Sequence, residues 1–358
     1  MKSGLTLQEL AAEIERRAQN KRDMVVPLKK LELTDTMQLV VADREEYAVN
    51  SIAHGQIAQH VGIPLKYYDR MKADAPDLLA RNVNTWFHRD DSKRMVRTLD
   101  GTTRALLSDR YRPLENEDLA MAALPALMNL DVDIMSSQIT DSRLYIKAVD
   151  KRVTRELEAV GGKFGDGKHN IVRCLAPALT ISNSEVGQGA LSILGGVYDG
   201  FCSNLASFGE RSTRKYHVGA KHDLADEAYV VLSEDTRRKT DAATWAQVGD
   251  LVKAAFNQAH FDALCAKIAK TQDDKIEGDP VEVVKLTTSK FNLSEAVGTN
   301  ILRHLIEGAD LSRFGLYNAI TRASQDVTDY DDATAMERQG AQIIELPSSE
   351  WKVLAKAA

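Results

Sequence analysis

Cys202 stands fifteen residues before His217 in the stretch GVYDGFCSNLASFGERSTRKYHVG. A thiol beside an imidazole can act as a nucleophile–base pair, the ring taking the proton and the thiolate attacking. Cys202, however, sits between Phe201 and Leu205 in an apolar run, where burial raises a thiol pKa. A free cysteine in such a setting reads as a small core residue. Metal chemistry has no better footing. The eight histidines include no HxH or HExxH, and His217 and His222, five apart, have only Asp223 beside them. Cys174, Cys202 and Cys265 form no CxxC pair. No catalytic residue, metal or cofactor is therefore assigned, and an enzyme is the third reading.

The cations read differently. SDRYRPL places Arg110, Tyr111 and Arg112 in a row. In an extended strand the two arginines share one face and the tyrosine takes the other. GERSTRKYHVGAK repeats the mixture with Arg211, Arg214, Lys215, Tyr216, His217 and Lys221. Cations tracking a backbone and rings on which bases stack, at about 1–3 kcal/mol per base, are what a single-strand binder needs. The competing reading is an ordinary solvent face of a sheet with Tyr111 in the core. A formal net charge of −6 over 358 residues argues against coating duplex DNA by global attraction. A local patch is still compatible, because salt limits fields to about 8 Å.

The elements that must position these groups follow from periodicity. Thr6 and Glu9 form a capping box for a helix bearing Leu7, Leu10, Ala11 and Ile14, and Arg16, Arg17, Lys21 and Arg22 read as its solvated basic end. Met37–Val41 reads as a strand. Ala53, Ile57, Ala58 and Val61, then Gly62, Pro64, Leu65, Tyr68 and Met71, make a two-helix corner with helix-turn-helix spacing. Asp100-Gly101 predicts a hairpin, Asn116 an N-cap, and Thr140–Ser142 a second hairpin turn. Long strand-forming runs flank Gly187 and Gly189, and Gly195-Gly196 suggests a bulge or a close backbone approach. Trp245, Val248, Val252, Phe256, Ala259, Leu264 and Ile268 step as one helical stripe with Asp241 as its cap. Ala296, Ile301, Leu302 and Leu305 read as a further helix against which Phe314, Leu316 and Ile320 pack, and the acidic stretch from Asp326 through Asp332 as an exposed loop.

These elements predict an α+β fold: a central twisted antiparallel sheet with helices on one face, flanked by helical segments. The boundaries are 1–82 for an N-terminal helical and strand segment, 83–235 for the antiparallel core and 236–358 for a helical C-terminal region. LLSDRYRPLENEDLA, ALTISNSEVGQGALSILGGVYDGFCSNLASF, RKYHVG and FGLYNAITRAS resemble a family of phages, plasmids and prophage islands, domain of unknown function 932. The likeness spans most of residues 50–325. It departs from the family pattern at Leu205, where Cys-x-Asn is usually followed by Gly, and at Lys215–Val218, where Arg-His-Thr is usual. The resemblance implies a mobile-element setting, hence DNA metabolism or counter-defence. The core is also similar to Rad52-like annealing folds, an analogy at the level of fold alone.

The functional expectation is a cytoplasmic protein that binds single-stranded DNA, in strand annealing or protection during recombination or replication, as a homo-oligomer. The alternative is a module that docks on a host defence protein, its acidic stretch mimicking DNA. Sparse cysteines suit a reducing compartment. No run approaches the roughly 18 apolar residues of a membrane helix, so no membrane partner is expected.

Overall fold

The computed structural model describes residues 1–42, 45–160, 170–200, 203–208 and 234–357. Helix α1 (Leu7–Asn20) opens on the expected capping box: the Thr6 backbone N–H donates to Glu9 and the Glu9 N–H returns a bond to Thr6 Oγ1. Its buried side chains are Leu10 and Ile14. The chain then continues directly into strand β1 (Lys21–Pro27), so the basic run is half helix and half strand. Strands β2 (Leu31–Leu33), β3 (Leu39–Val41) and β4 (Glu45–Val49) follow, then helices α2 (Ser51–His60), α3 (Leu65–Asp74) and α4 (Pro76–Phe87). Strands β5 (Lys93–Leu99) and β6 (Thr102–Ser108) close the first half. Asp100 and Gly101 both have positive φ (50° and 75°), the turn that matches strand twist and joins β5 to β6.

These strands form one six-stranded sheet in the order β1-β5-β6-β4-β3-β2, antiparallel except where β4 runs parallel to β6. The helical corner packs on one face: Ile57, Tyr68, Leu79, Val83 and Phe87 close on Leu31, Leu39, Val96 and Leu106. Each such side chain, once buried, is worth about 1.5–3 kcal/mol. That packing is what makes the corner stable without a ligand.

A second sheet is built from β7 (Asp133–Ile139), β8 (Leu144–Val149), β9 (Arg155–Val160), β10 (Asn170–Asn183), β11 (Ser192–Asp199) and β12 (Asn204–Ser207). Its order is β12-β11-β10-β8-β7, all antiparallel, with β9 pairing the first half of the long β10. Helices cover both faces. Helix α1, α5 (Asn116–Asn129) and α6 (Glu234–Ala255) bury Leu119, Leu127, Val248 and Val252 against Ile146, Leu179 and Ile193. Against Leu175, Val197, Ala206 and Phe208 pack the helices α7 (Gln258–Lys270), α8 (Pro280–Phe291), α9 (Glu295–Glu307), α10 (Arg313–Ala323), α11 (Tyr330–Glu345) and α12 (Ser348–Ala355). Gly196 permits a close approach of strands: a Cβ there would lie 2.4 Å from the Ala206 carbonyl oxygen.

The α+β class stands, with four corrections. The single sheet expected in 83–235 is two, because residues 21–49 supply four strands to the first. Helices cover both faces of the second sheet. The stripe from Trp245 to Ile268 is two helices, broken where Asn257 caps α7 by accepting the His260 N–H. The acidic stretch after Asp326 is the start of α11: Asp329 accepts the Asp332 N–H, and Met336, Ile343 and Ile344 are core. Helix α11 is fastened to the sheet by Lys147, fully buried, whose ammonium donates to Glu337 at 2.7 Å and Thr334 at 3.0 Å and lies over the Tyr330 ring.

The corner also contains a titrating group. His54 is buried in α2, and its Nδ1 shares a hydrogen bond with the Tyr68 hydroxyl at 2.8 Å. Burial pushes the imidazole pKa down to about 4, with Lys72 adding to the shift and Asp69 opposing it. The unfolded chain thus takes up a proton near pH 6.5 that the folded chain refuses until about pH 4. Stability from neutral His54 is complete above pH 6.5 and is lost as pH falls towards 4, by at most about 3 kcal/mol. Thermal melts between pH 7.5 and 4.5 should show a steeper fall for the native chain than for His54→Gln; parallel curves would refute this assignment.

Candidate nucleic-acid interface

The two sheets meet where the β10–β11 connection, residues 184–191, docks on the face of the first sheet opposite its helices. Arg97 in β5 projects from that face and is fully buried. Its guanidinium donates to Asp23 at 2.9 Å, to Glu115 at 2.7 Å and to the Glu185 carbonyl at 2.7 Å. Arg104 in β6, 6% exposed, donates to the Glu185 carboxylate at 2.7 Å. The other Glu185 oxygen accepts the Asn116 N–H at 2.8 Å, so this carboxylate sits on the positive end of α5. Lys21 donates to Glu115 at 2.9 Å. Gln56 of α2 stitches the Leu106 N–H to the Val186 carbonyl.

Asn116 is the first residue of α5, with Glu115 at the cap position. The Asn116 amide oxygen accepts from Asn183, in place of the expected capping role. Burial drives the Glu115 carboxyl above its ordinary range, Arg97 opposing and Glu185 reinforcing. Burial acts likewise on Glu185 but is outweighed by Arg104, the neighbouring Glu115 side chain and the Asn116 N–H, which hold it below that range. Lys21, Arg97 and Arg104 balance Asp23, Glu115 and Glu185, and all four oxygens of the two glutamates accept a hydrogen bond. The adjacent cleft between α1 and α5, lined by Ile14, Arg17, Lys21, Asn116 and Ile139, has room for about one water. Every glutamate oxygen has a donor and the cleft is water-sized, while Arg104 Nε and one Nη are buried without a hydrogen-bond partner among the described residues. The geometry is that of a fastener between sheets. Sequence reasoning missed it; the available signal was Arg97 and Arg104 at inward positions in otherwise apolar strands.

The connection covers only part of the face. Val25, Met95 and Leu107 are cross-strand partners on the same side, with Val25 53% exposed and the other two half-buried. Lys93, two residues before Met95, shares that side and is exposed. Arg110 is exposed, and its side chain forms no ion pair among the described residues. Tyr111 is half-buried, donates its hydroxyl to the Ser184 carbonyl at 3.2 Å, and has its phenol pKa raised by burial. Its ring borders Gly187 (φ +75°), where a Cβ would meet Leu107 Cδ2 at 2.7 Å.

Arg112 pairs with Asp241 of α6, so Asp241 is inside that helix as a charge partner and is not its cap. The strand alternation expected for Arg110–Arg112 is replaced by a turn, the Tyr111 N–H bonding to Ser108 O at 2.9 Å. Arg211, Arg214, Lys215, Tyr216, His217 and Lys221 lie outside the described residues, as does Cys202. The chain bearing the second patch leaves at Phe208 and re-enters at Glu234, about two helical turns before the Asp241 that holds Arg112. Among the described residues no group of three or more His, Cys, Asp or Glu could hold a metal ion, and no helix is long and apolar enough to cross a membrane.

No protein-family model, curated protein or solved structure matches this chain. The buried cluster yields its own prediction. Arg97→Met strands Asp23 and Glu115 without their guanidinium and should cost about 3–5 kcal/mol. Arg16→Ala, which removes exposed pairs with Glu13 and Asp100, should cost at most about 1 kcal/mol. Urea unfolding of both variants checks the contrast; equal costs would show that the cluster does not fasten the sheets.

Proposed function

We propose that the chain binds single-stranded nucleic acid along the open part of the first sheet, in strand annealing or protection within a mobile element. The observation that carries the reading is the Val25–Met95–Leu107 row, exposed at Val25 and half-buried at the other two, with Lys93 and Arg110, exposed cations that form no ion pair among the described residues. The row offers an apolar bed for base faces, and the two cations can follow phosphates. Its side chains are aliphatic, so each base gains less than the roughly 1–3 kcal/mol of an aromatic platform. Tyr111 contributes a ring edge fixed by Ser184. Resemblance to the phage and plasmid family of domain 932 supports the setting. The alternative, docking on a host protein through the acidic stretch, has less support, because Asp329 caps α11 and Asp331 accepts from Thr140 and Ser142.

Fluorescence anisotropy with labelled oligothymidine between about 50 and 200 mM salt tests the proposal. Binding should weaken with salt, and Arg110→Ala should reduce the log–log slope by about 0.7, the share of one phosphate contact. Arg214→Ala should act in the same direction. Absence of binding at the lowest salt, or an Arg110→Ala slope equal to that of the native chain, would end the reading.

A further inference from the structure

Most sheet edges in this protein are occupied. At β2, the Asn84 amide accepts the Leu33 N–H at 2.8 Å and donates to the Leu33 carbonyl at 2.9 Å. At β7, Leu5 bridges Ser137, whose hydroxyl returns a bond to the Leu5 carbonyl. Gln272 donates to the Glu158 carbonyl of β9, and β12 lies under α11 with Gln325 on Asn204. Strand β1 differs: its partner is β5, and its outer edge carries the exposed residues Asp23 and Val25.

The phase of this edge can be derived. The Leu28 N–H bonds to Ser92 O at 3.0 Å, and residues 28 and 92 continue the β1–β5 register. Arg22, Met24 and Val26 therefore turn their backbone groups towards β5, while Lys21, Asp23, Val25 and Pro27 turn theirs outward. The Lys21 N–H is taken by Arg17 O at the end of α1, and Pro27 has no N–H. Two outward donors remain, on Asp23 and Val25, and neither meets an acceptor among the described residues.

We propose that this edge pairs with the same edge of a second copy, antiparallel about a two-fold axis at Met24. Asp23 then lies opposite Val25 of the second copy, and four N–H···O bonds use every outward donor of both strands. Competing registers are poorer. Asp23 opposite Asp23 sets like charges face to face. Val25 opposite Val25 also makes four bonds, the Asp23 N–H reaching the Pro27 carbonyl of the second copy, but overlaps only residues 23–27 of each seven-residue strand. In the favoured register the ladder stops at Lys21 and Pro27, where donors are spent or missing. Charges of both signs and a terminal proline protect an edge from foreign strands, and the axis at Met24, the centre of Lys21–Pro27, is the alignment that overlaps the whole strand. Two six-stranded sheets join into one, and the Val25 rows of both copies become neighbours on one face.

Sedimentation equilibrium of the full chain up to about 100 μM, a concentration that reports even weak pairing, should give a dimer mass. Val25→Pro removes one outward donor from each copy at an edge position where proline is tolerated, and should give a monomer with an unchanged melting temperature. Met24→Cys supplies a readout that does not depend on that variant folding. Facing Cα atoms in a non-hydrogen-bonded antiparallel pair lie about 4.5 Å apart, within disulfide reach. Mild oxidation should link the two copies through residue 24, as located by peptide mass mapping. A monomer at the highest concentration, a Val25→Pro dimer, or a native dimer whose Met24→Cys form never cross-links at residue 24 would overturn the proposal. Loss of nucleic-acid binding in Arg110→Ala is read below the dimerisation range, so the two proposals fail separately.

Discussion

A single buried carboxylate joins the halves of this molecule. Glu185 takes Arg104 on one oxygen and the α5 N-terminus on the other, while its carbonyl takes Arg97. Removing a carboxylate and two guanidinium groups from water costs several kcal/mol per ion, and the arrangement is tolerable because donors and acceptors converge with short, charge-assisted bonds. Its value is positional. The β10–β11 connection is held against the first sheet at one register, which in turn requires Gly187, since a side chain there would collide with Leu107. Tyr111 and Gln56 then find carbonyl partners on the same connection.

The same device recurs wherever layers meet. Lys147 and Glu337 pin α11 to the second sheet, Arg173 joins β10 to Asp199 of β11 and Asn318 of α10, and Arg313 donates to the Ile343 and Ile344 carbonyls at the end of α11. Each is a cation that composition alone assigns to the surface. Along β5, β6 and the turn after them, Arg94 bonds to His60, Arg97 and Arg104 are buried, and Arg112 is matched by Asp241. Arg110 stands apart as the arginine of this run whose side chain is exposed without an ion pair among the described residues. A charge-rich stretch therefore yields a much smaller free electrostatic surface than its sequence suggests.

Local grammar was legible where local forces decide. The Thr6–Glu9 box, the Asp100-Gly101 hairpin and the helix holding Ala296, Ile301 and Leu305 all depend on near neighbours. What escaped depends on distant partners. β4 joins β6 across three intervening helices, so one sheet and two sheets have the same strand signals in sequence. The start of α11 looks like a loop because Asp329, Asp331 and Asp332 are polar, yet carboxylates in a first turn favour a helix. Its burial is settled by Lys147, some 190 residues earlier. At the candidate site, residue types put Arg110 and Arg112 on one strand face and gave no hint that Asp241 would claim Arg112, nor that Ser184 would hold Tyr111.

The placement of the candidate surface follows from the fastener. Arg97 and the Val25–Met95–Leu107 row project from the same side of the first sheet, and the helical corner fills the opposite side. Docking the Glu185 connection on Arg97 shields one end of the face and leaves the Lys93 end open. The connection also holds Tyr111, and the turn from Ser108 to Tyr111 is closed by its own backbone bond, with Arg110 exposed in its middle. A rigid mount of this kind lowers the ordering cost when a flexible strand binds, since the protein groups are already in position. The buried charges thus act on the proposed interface indirectly, by fixing where its exposed cation can be.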